Sequence, residues 1–239
     1  MAQRAGGSRS TVSYALSGRR PVSPGTERRV QAVIGELGHR PDTAARALKE
    51  GRTRTIGLVI PPASRRPTGM RLDFVASVVD AAARADLDVL LSPSAGEHDR
   101  SFERVVTGRR VDGVILIEIR LEGERVARLR HSGLPFAGIG RTGHPEEMSW
   151  VDIDYETLIA RCVEHLADLG HREVALVDRN AELVTAGYGP GQRAQSGFAG
   201  AVASRGLEGV QVCCADGPQA GQARVEQPLA ARPGLTAIA

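Results

Sequence analysis

The sequence predicts a small, all-helical N-terminal head followed by an α/β body built on parallel strands with helices on both faces. From residue 55 onward, strand-length aliphatic runs alternate with amphipathic stretches, the pattern of a parallel sheet wrapped by helices. Before that point only short helical patterns occur. Charge divides at the same place: residues 1–54 hold eleven basic and four acidic side chains, a net of +7, which leaves −4 for the rest of a chain whose total is +3. A basic module ahead of a mildly acidic one suits a polyanion-binding head joined to a body with another task, although scattered arginine charge fits composition alone equally well.

Each element follows from local signals. Ser8 can cap a helix over 9–16, and Ser23-Pro24-Gly25-Thr26-Glu27 opens a second that runs to about residue 37 and stops at Gly38. In the body, a strand over 55–60 precedes a helix over 72–85, one over 88–92 precedes a helix over 98–108, and one over 113–117 precedes a helix over 122–132. A strand over 136–140 follows. The alternation continues with a helix over 155–169, a strand over 174–177, a helix over 192–204, a strand over 210–214, a helix over 219–231 and a final strand over 235–238. Ligands of such sheets sit at the carboxyl ends of the strands.

Composition excludes several classes. The longest apolar run, around 114–117, is far short of the roughly 20 residues of a spanning helix, and no secretory signal pattern opens the chain, so a cytoplasmic location is expected. Thirty of the 31 basic residues are arginine; the lone lysine, Lys49, leaves little for Schiff-base or P-loop chemistry. Cys162, Cys213 and Cys214 show no paired spacing, which suits a reducing compartment and argues against structural zinc. The six histidines show no metal spacing, and no Gly-x-Ser-x-Gly elbow is present. The turn Gly187-Tyr188-Gly189-Pro190-Gly191-Gln192 lacks the third glycine of a dinucleotide loop, and Pro190 removes an amide. Asp154 suits a helix N-cap better than a general base. No catalytic group, cofactor or metal is expected.

The head offers a specific chemistry. A helix remnant, the turn at Gly6-Gly7 and the Ser8-capped helix make a helix-turn-helix, whose second helix enters the major groove. Arg9, Ser10 and Tyr14 border one face near base edges, while Ser8, Thr11 and Ser13 are short donors suited to phosphate oxygens. Val12, Ala15 and Leu16 face inward. On helix and cap alone, an ordinary surface helix with solvated hydroxyls is the better fit.

The ordered set of motifs decides between them. The run AGGSRSTVSYALSGRRPVSPGTERRVQAVIGELGHRPDTAARALKEGRTRTIGLVIP resembles the start of a LacI/GalR-family transcriptional regulator, in its Ser-x-x-Thr-Val-Ser helix, Val-Ser-Pro-x-Thr opening, Leu-Gly-x-Arg-Pro exit and Arg-Thr-x-Thr-Ile-Gly-Leu-Val entry. RRVDGVILI, GLPFAGIGR, VDIDY and EHLADLGHREVALV continue the resemblance over nearly the whole chain.

The resemblance implies a helix-turn-helix head over 1–40, a hinge helix and linker over 41–54, and two subdomains of a periplasmic-binding-protein-like body over 55–152 and 153–239. It implies that Ser8, Arg9, Ser10, Thr11, Ser13, Tyr14 and Arg19 meet operator DNA. In the hinge, Ala45 permits close helix approach and Leu48 wedges into the minor groove, ordered only with a partner and DNA; a plain linker is the bland alternative. The implied protein is a homodimeric repressor of a pseudo-palindromic, double-stranded operator, controlled by a small sugar-like effector and without membrane attachment. Matching strand ends place effector contacts at Arg71, Glu118, Arg141, Tyr188 and Arg193.

Departures from the family pattern are specific. Residues 61–70 lack the usual aromatic, Gly7 replaces a valine, and Arg193 stands four rather than three residues before Gly197-Phe198. Against the family architecture the first helix is short and the second subdomain incomplete, so a truncated or vestigial ligand-binding module without operator binding is the alternative expectation.

Overall fold

A computed structural model describes residues 2–17, 20–37, 47, 50–60, 69–94, 99–215 and 217–239. The chain divides into two units, 1–53 and 54–239.

In the first unit, residues 2–6 form a turn, closed by the Gly7 amide donating to the Ala2 carbonyl at 3.1 Å. Helix α1 (Arg9–Ser17) follows it and α2 (Pro24–Leu37) follows α1. The Ser8 hydroxyl accepts the Thr11 amide at 3.1 Å, satisfying one of the donors that every helix start leaves open. Ser23 does the same for α2, accepting the Thr26 amide at 3.3 Å. Among the described residues, Ala5, Val12, Val30 and Val33 form a core cluster, flanked by Ala2 and Ala15. Val12 and Ala15 face inward as the sequence predicts. A Cβ at Gly7 would touch Thr11 at an ordinary 3.6 Å, so the site has room for the side chain that the glycine omits.

The second unit carries two sheets. The first contains β1 (Thr55–Ile60), β2 (Asp88–Pro93), β3 (Gly113–Ile117), β4 (Phe136–Ile139) and β5 (Ser149–Val151), parallel throughout in the order β2-β1-β3-β4-β5. Helices α3 (Gly69–Arg84), α4 (Arg100–Thr107) and α5 (Glu124–Ser132) connect its strands. Val59, Phe102, Leu116, Ile119 and Leu129 centre its core. After α6 (Tyr155–Asp168) comes the second sheet, β6 (Glu173–Asp178), β7 (Glu208–Cys213) and β8 (Leu235–Ile238), parallel in the order β7-β6-β8. Helices α7 (Ala181–Thr185) and α8 (Gly189–Arg205) lie between β6 and β7, and α9 (Pro218–Ala231) precedes β8. Val163, Val174, Leu176, Phe198 and Leu207 form the second core. Aliphatic side chains dominate both cores, which is how a chain with 3% aromatic residues folds.

Three features differ from the expected elements. β5 was not expected; it is three residues long with every residue exposed, so it has no inward-outward alternation to read. The short α7 was not expected either. The stretch read as a turn over 187–192 instead opens α8 at Gly189, with Pro190 in the first turn, where its missing amide would have lacked a helical partner. No helix among the described residues is long and apolar enough to cross a membrane.

Candidate functional site

The loops leaving the strands converge on a cleft. Chain 117–119 leaves β3, Ile139-Gly140 ends β4, residues 151–153 leave β5, and Arg179 follows β6; together with Phe74 of α3, Tyr155, Tyr188 and Pro190 they enclose about 130 Å³ of water-accessible space. This is the carboxyl end of the strands, where the sheet's own geometry opens a crevice.

The crossing of two loops fixes the cleft. The Leu121 amide donates to the Gly187 carbonyl at 2.8 Å and the Gly189 amide to the Ile119 carbonyl at 3.3 Å, while Arg120 and Tyr188 form an antiparallel bridge. The segment after β3 is thereby stitched to the start of α8, which brings Glu118 and Tyr188 to the same cavity. Gly189 sits at a close approach: a Cβ there would lie 3.3 Å from the Arg141 carbonyl oxygen, 3.4 Å from that of Ile119 and 2.8 Å from Nη1 of Arg193. Glu118 holds a left-handed backbone (φ 56°), and its carbonyl accepts Nη2 of Arg125 at 2.6 Å. Left-handed non-glycine residues store strain and concentrate at functional positions. The Arg179 guanidinium lies 6.0 Å from the centre of the Tyr188 ring, close enough for a cation–π contact.

Asp152 lines the cleft wall with its side chain 4% exposed. Its Oδ1 accepts the Ile153 amide at 2.9 Å, and its Oδ2 lies 3.3 Å from Nη1 of Arg193 and 3.7 Å from Nε of Arg141. Burial pushes its carboxyl up from the ordinary value, against the Ile153 amide and the two arginines. The same burial, followed by the charge of Arg141, pushes Arg193 down.

The sequence-derived contacts are distributed unevenly. Glu118 and Tyr188 line the cleft. Arg141 and Arg193 reach it through Asp152, and Arg193 is 9% exposed with its guanidinium shared among Asp152 and two carbonyls. The backbone of Arg71 begins α3, and its side chain lies outside what is described. Asp152, Tyr155 and Arg179 were missed. Asp152 and Arg179 each stand directly after a strand, which is the positional signal that could have found them, but β5 was itself unread.

In the head, Ser8, Ser10 and Thr11 share hydrogen bonds at the start of α1, Ser8 Oγ to Ser10 Oγ at 2.7 Å and to Thr11 Oγ1 at 2.8 Å. The Arg20 guanidinium lies 5.5 Å from the centre of the Tyr14 ring, a partner that the sequence reading did not assign. Ser13 lies on α1, as does the backbone of Arg9. The side chain of Arg9, and Arg19, Ala45 and Leu48 altogether, lie outside the described residues.

A capped helix pair followed in sequence by two parallel sheets with a shared cleft defines a class: a helix-turn-helix head on a periplasmic-binding-protein-like body. Residues 1–42 match the family described as bacterial regulatory proteins, lacI family. The chain is 35% identical over 173 residues to the HTH-type transcriptional regulator RafR of Escherichia coli, covering 71% of this chain and 51% of RafR. It is 32% identical over 216 residues to the HTH-type transcriptional regulator CelR of Thermobifida fusca, covering 87% of this chain and 61% of CelR. Among solved structures, a CelR–cellobiose complex is similar with a TM-score of 0.63 at 25% identity, covering 99% of this chain and 71% of that one. The lac repressor dimer bound to operator and the anti-inducer ONPF shares the fold with a TM-score of 0.79 at 19% identity, over 96% of this chain and 68% of that one. The chain is thus similar to LacI-family regulators over most of its length, and its residues 1–42 match the family model itself. It spans 51% of RafR and 61% of CelR, between half and two thirds of these relatives' length.

Proposed function

We propose that the chain acts as a sequence-specific DNA-binding regulator, a homodimeric repressor whose cleft takes a small sugar-like effector. The head supplies the DNA-binding part: Ser8, Arg9, Ser10, Thr11, Ser13, Tyr14 and Arg19 meet a pseudo-palindromic operator, with Ala45 and Leu48 following in the hinge. The observation that carries the reading is the hydroxyl-rich, Ser8-capped start of α1 within the stretch that matches the family. Such a helix start presents short donors and a positive backbone end to a phosphate chain.

The cleft supplies the sensor. Three aromatic rings, Phe74, Tyr155 and Tyr188, and two acids, Glu118 and Asp152, surround it, a set suited to stacking on a sugar ring and accepting its hydroxyls. A ligand shifts operator affinity only through its different affinity for two arrangements of the body. The solved CelR–cellobiose complex makes cellobiose a first probe.

The test is selection of duplexes from a random pool by the full chain, followed by fluorescence anisotropy. The expected result is a pseudo-palindromic consensus, bound more tightly than random duplex, with affinity falling by about 10³-fold or more between roughly 50 and 200 mM salt. Arg9→Ala should relax the sequence preference. Equal, weak binding to every duplex, unaltered by Arg9→Ala, overturns the reading and leaves a ligand-binding module.

A further inference from the structure

We infer that Arg193 is a positioning residue rather than an effector contact, and that through Asp152 it ties α8 to the cleft wall and to the Arg141–Trp150 stack. This role takes the cleft as the ligand site proposed above and adds to it the route by which occupancy is felt on the side of the second sheet.

Both terminal nitrogens of the Arg193 guanidinium are engaged, which accounts for three of its five N–H donors. Nη1 faces Oδ2 of Asp152 at 3.3 Å, and Nη2 donates to the Thr142 carbonyl at 3.0 Å and the Arg141 carbonyl at 3.2 Å. All three acceptors belong to the ends of β4 and β5 in the first sheet, whereas Arg193 rides on α8, which packs on the second. A planar fork serves a carboxylate and two carbonyls from separate nitrogens in fixed directions; a lysine has three donors but all on one nitrogen, and does not reproduce that spread. Room for that fork comes from Gly189, whose missing Cβ would lie 2.8 Å from Nη1.

Asp152 is the shared acceptor. It lines the cleft on one side and meets Arg193 and Arg141 on the other. Arg141 in turn lies 4.8 Å from the centre of the Trp150 ring, whose indole N–H donates to the Pro145 carbonyl at 3.1 Å. A hydroxyl-bearing ligand that donates to Asp152 therefore competes with the groups that hold α8 against the first sheet. A displacement of Asp152 is transmitted to Arg193 on one side and to Trp150 on the other. Coupling can be carried by a chain of packed and hydrogen-bonded side chains, and each link here is a contact at a stated distance.

Trp150 is the only tryptophan in the chain, so its emission reports on the far end of this relay without any label. The experiment compares the full chain with Arg193→Gln, Arg193→Lys, Asp152→Asn and the two Asp152→Asn double variants, by Trp150 emission and by thermal unfolding. Arg193→Gln should change Trp150 emission although Arg193 does not touch that ring, and should lower the unfolding midpoint by about 5 °C or more. Arg193→Lys keeps the charge and loses the fork, and should reproduce the emission change; it carries the test where Arg193→Gln does not fold. Asp152→Asn should shift the midpoint less than half as far in either Arg193 background as in the parent. An unchanged Trp150 spectrum in Arg193→Lys, or additive midpoint shifts, overturns the inference. These readouts involve neither DNA nor ligand, so a failure to bind operator leaves them unaffected and the two failures are distinguishable.

Discussion

Gly197 of α8 rests directly on the backbone carbonyl of Glu156 in α6. A Cβ at 197 would overlap that oxygen and stand 2.9 Å from the carbonyl carbon and 3.0 Å from the Glu156 Cα. The obstacle is backbone, which cannot swing aside. The two helices cover one face of the second core, where Val163 and Phe198 are fully enclosed, so separating them loosens that core.

Gly197→Ala should therefore destabilise the body by about 1–3 kcal/mol, the range of overpacking. Gly200, one turn further along the same helix, has open space around its missing Cβ. Gly200→Ala should be neutral or stabilise by up to about 1 kcal/mol, since alanine is the better helix former. Chemical unfolding of both variants checks the pair; equal effects would contradict the close approach.

The same region shows what a sequence reveals and what it hides. The strands over 55–60 and 113–117 are readable because burial demands aliphatic runs of definite length, and those runs survive in the sequence. β5 is not readable: Ser149, Trp150 and Val151 are all exposed, and the strand exists because its backbone pairs with β4. The start of α8 is hidden for a different reason, as Gly189-Pro190-Gly191 has the composition of a turn. Its helical state is set by Ile119 and Arg141, which pack against it from far along the chain. Glu118 and Tyr188 are placed at one cavity through the family resemblance, Glu118 standing directly after β3 and Tyr188 at the start of α8. The direction of Arg193 could not be read, because it depends on Asp152, which follows the unread strand.

Ser8→Ala should cost the head about 1 kcal/mol, the usual value of an N-cap, in a unit whose core, among the described residues, is four small side chains. Loss of the cap also frees Ser10 and Thr11, whose hydroxyls bond to Ser8. Ser8→Asp separates the two roles. Its carboxylate restores the cap and matches the helix dipole, yet places a negative charge against DNA. Head stability by hydrogen exchange should recover in Ser8→Asp while duplex affinity stays low; recovery of both would remove Ser8 from the DNA interface.

Glu118 bears its left-handed backbone at φ 56° as a strained residue. Asparagine tolerates that conformation better than glutamate, because its short side chain can bond locally. Glu118→Asn should raise stability by roughly 0.5–1 kcal/mol. At the same time it removes one acid from the cleft, so a ligand held by that carboxylate should bind more weakly. A higher unfolding midpoint with weaker ligand binding is the expected pair of results, and a lower midpoint would show that the Glu118 side chain stabilises more than its backbone strain costs.

Asp178 ends β6 as a buried carboxylate, with Oδ1 accepting the Arg179 amide at 2.7 Å and Oδ2 accepting Nε2 of Gln195 at 2.9 Å. Burial pushes its carboxyl above the ordinary 3.8, and the two hydrogen bonds and the Arg179 charge only partly oppose this. The folded state thus binds this proton more tightly than the unfolded chain does. Its stabilising contribution is complete below pH 3.8 and is lost as pH rises through the raised folded value. Asp154 has the opposite sign: its hydrogen bonds to Thr157 hold its carboxyl below 3.8, so its contribution is present above that value and lost as pH falls through the lowered folded one. Asp178→Asn removes the first dependence while keeping an oxygen for the Arg179 amide, and the Gln195 amide can turn to present its own oxygen to the new NH₂. The variant should be more stable than the parent near pH 7, with the advantage shrinking as pH falls toward about 4. Urea midpoints across that range check the sign, and a difference that stays constant with pH would show that the Asp178 carboxyl titrates at its ordinary value in the folded protein.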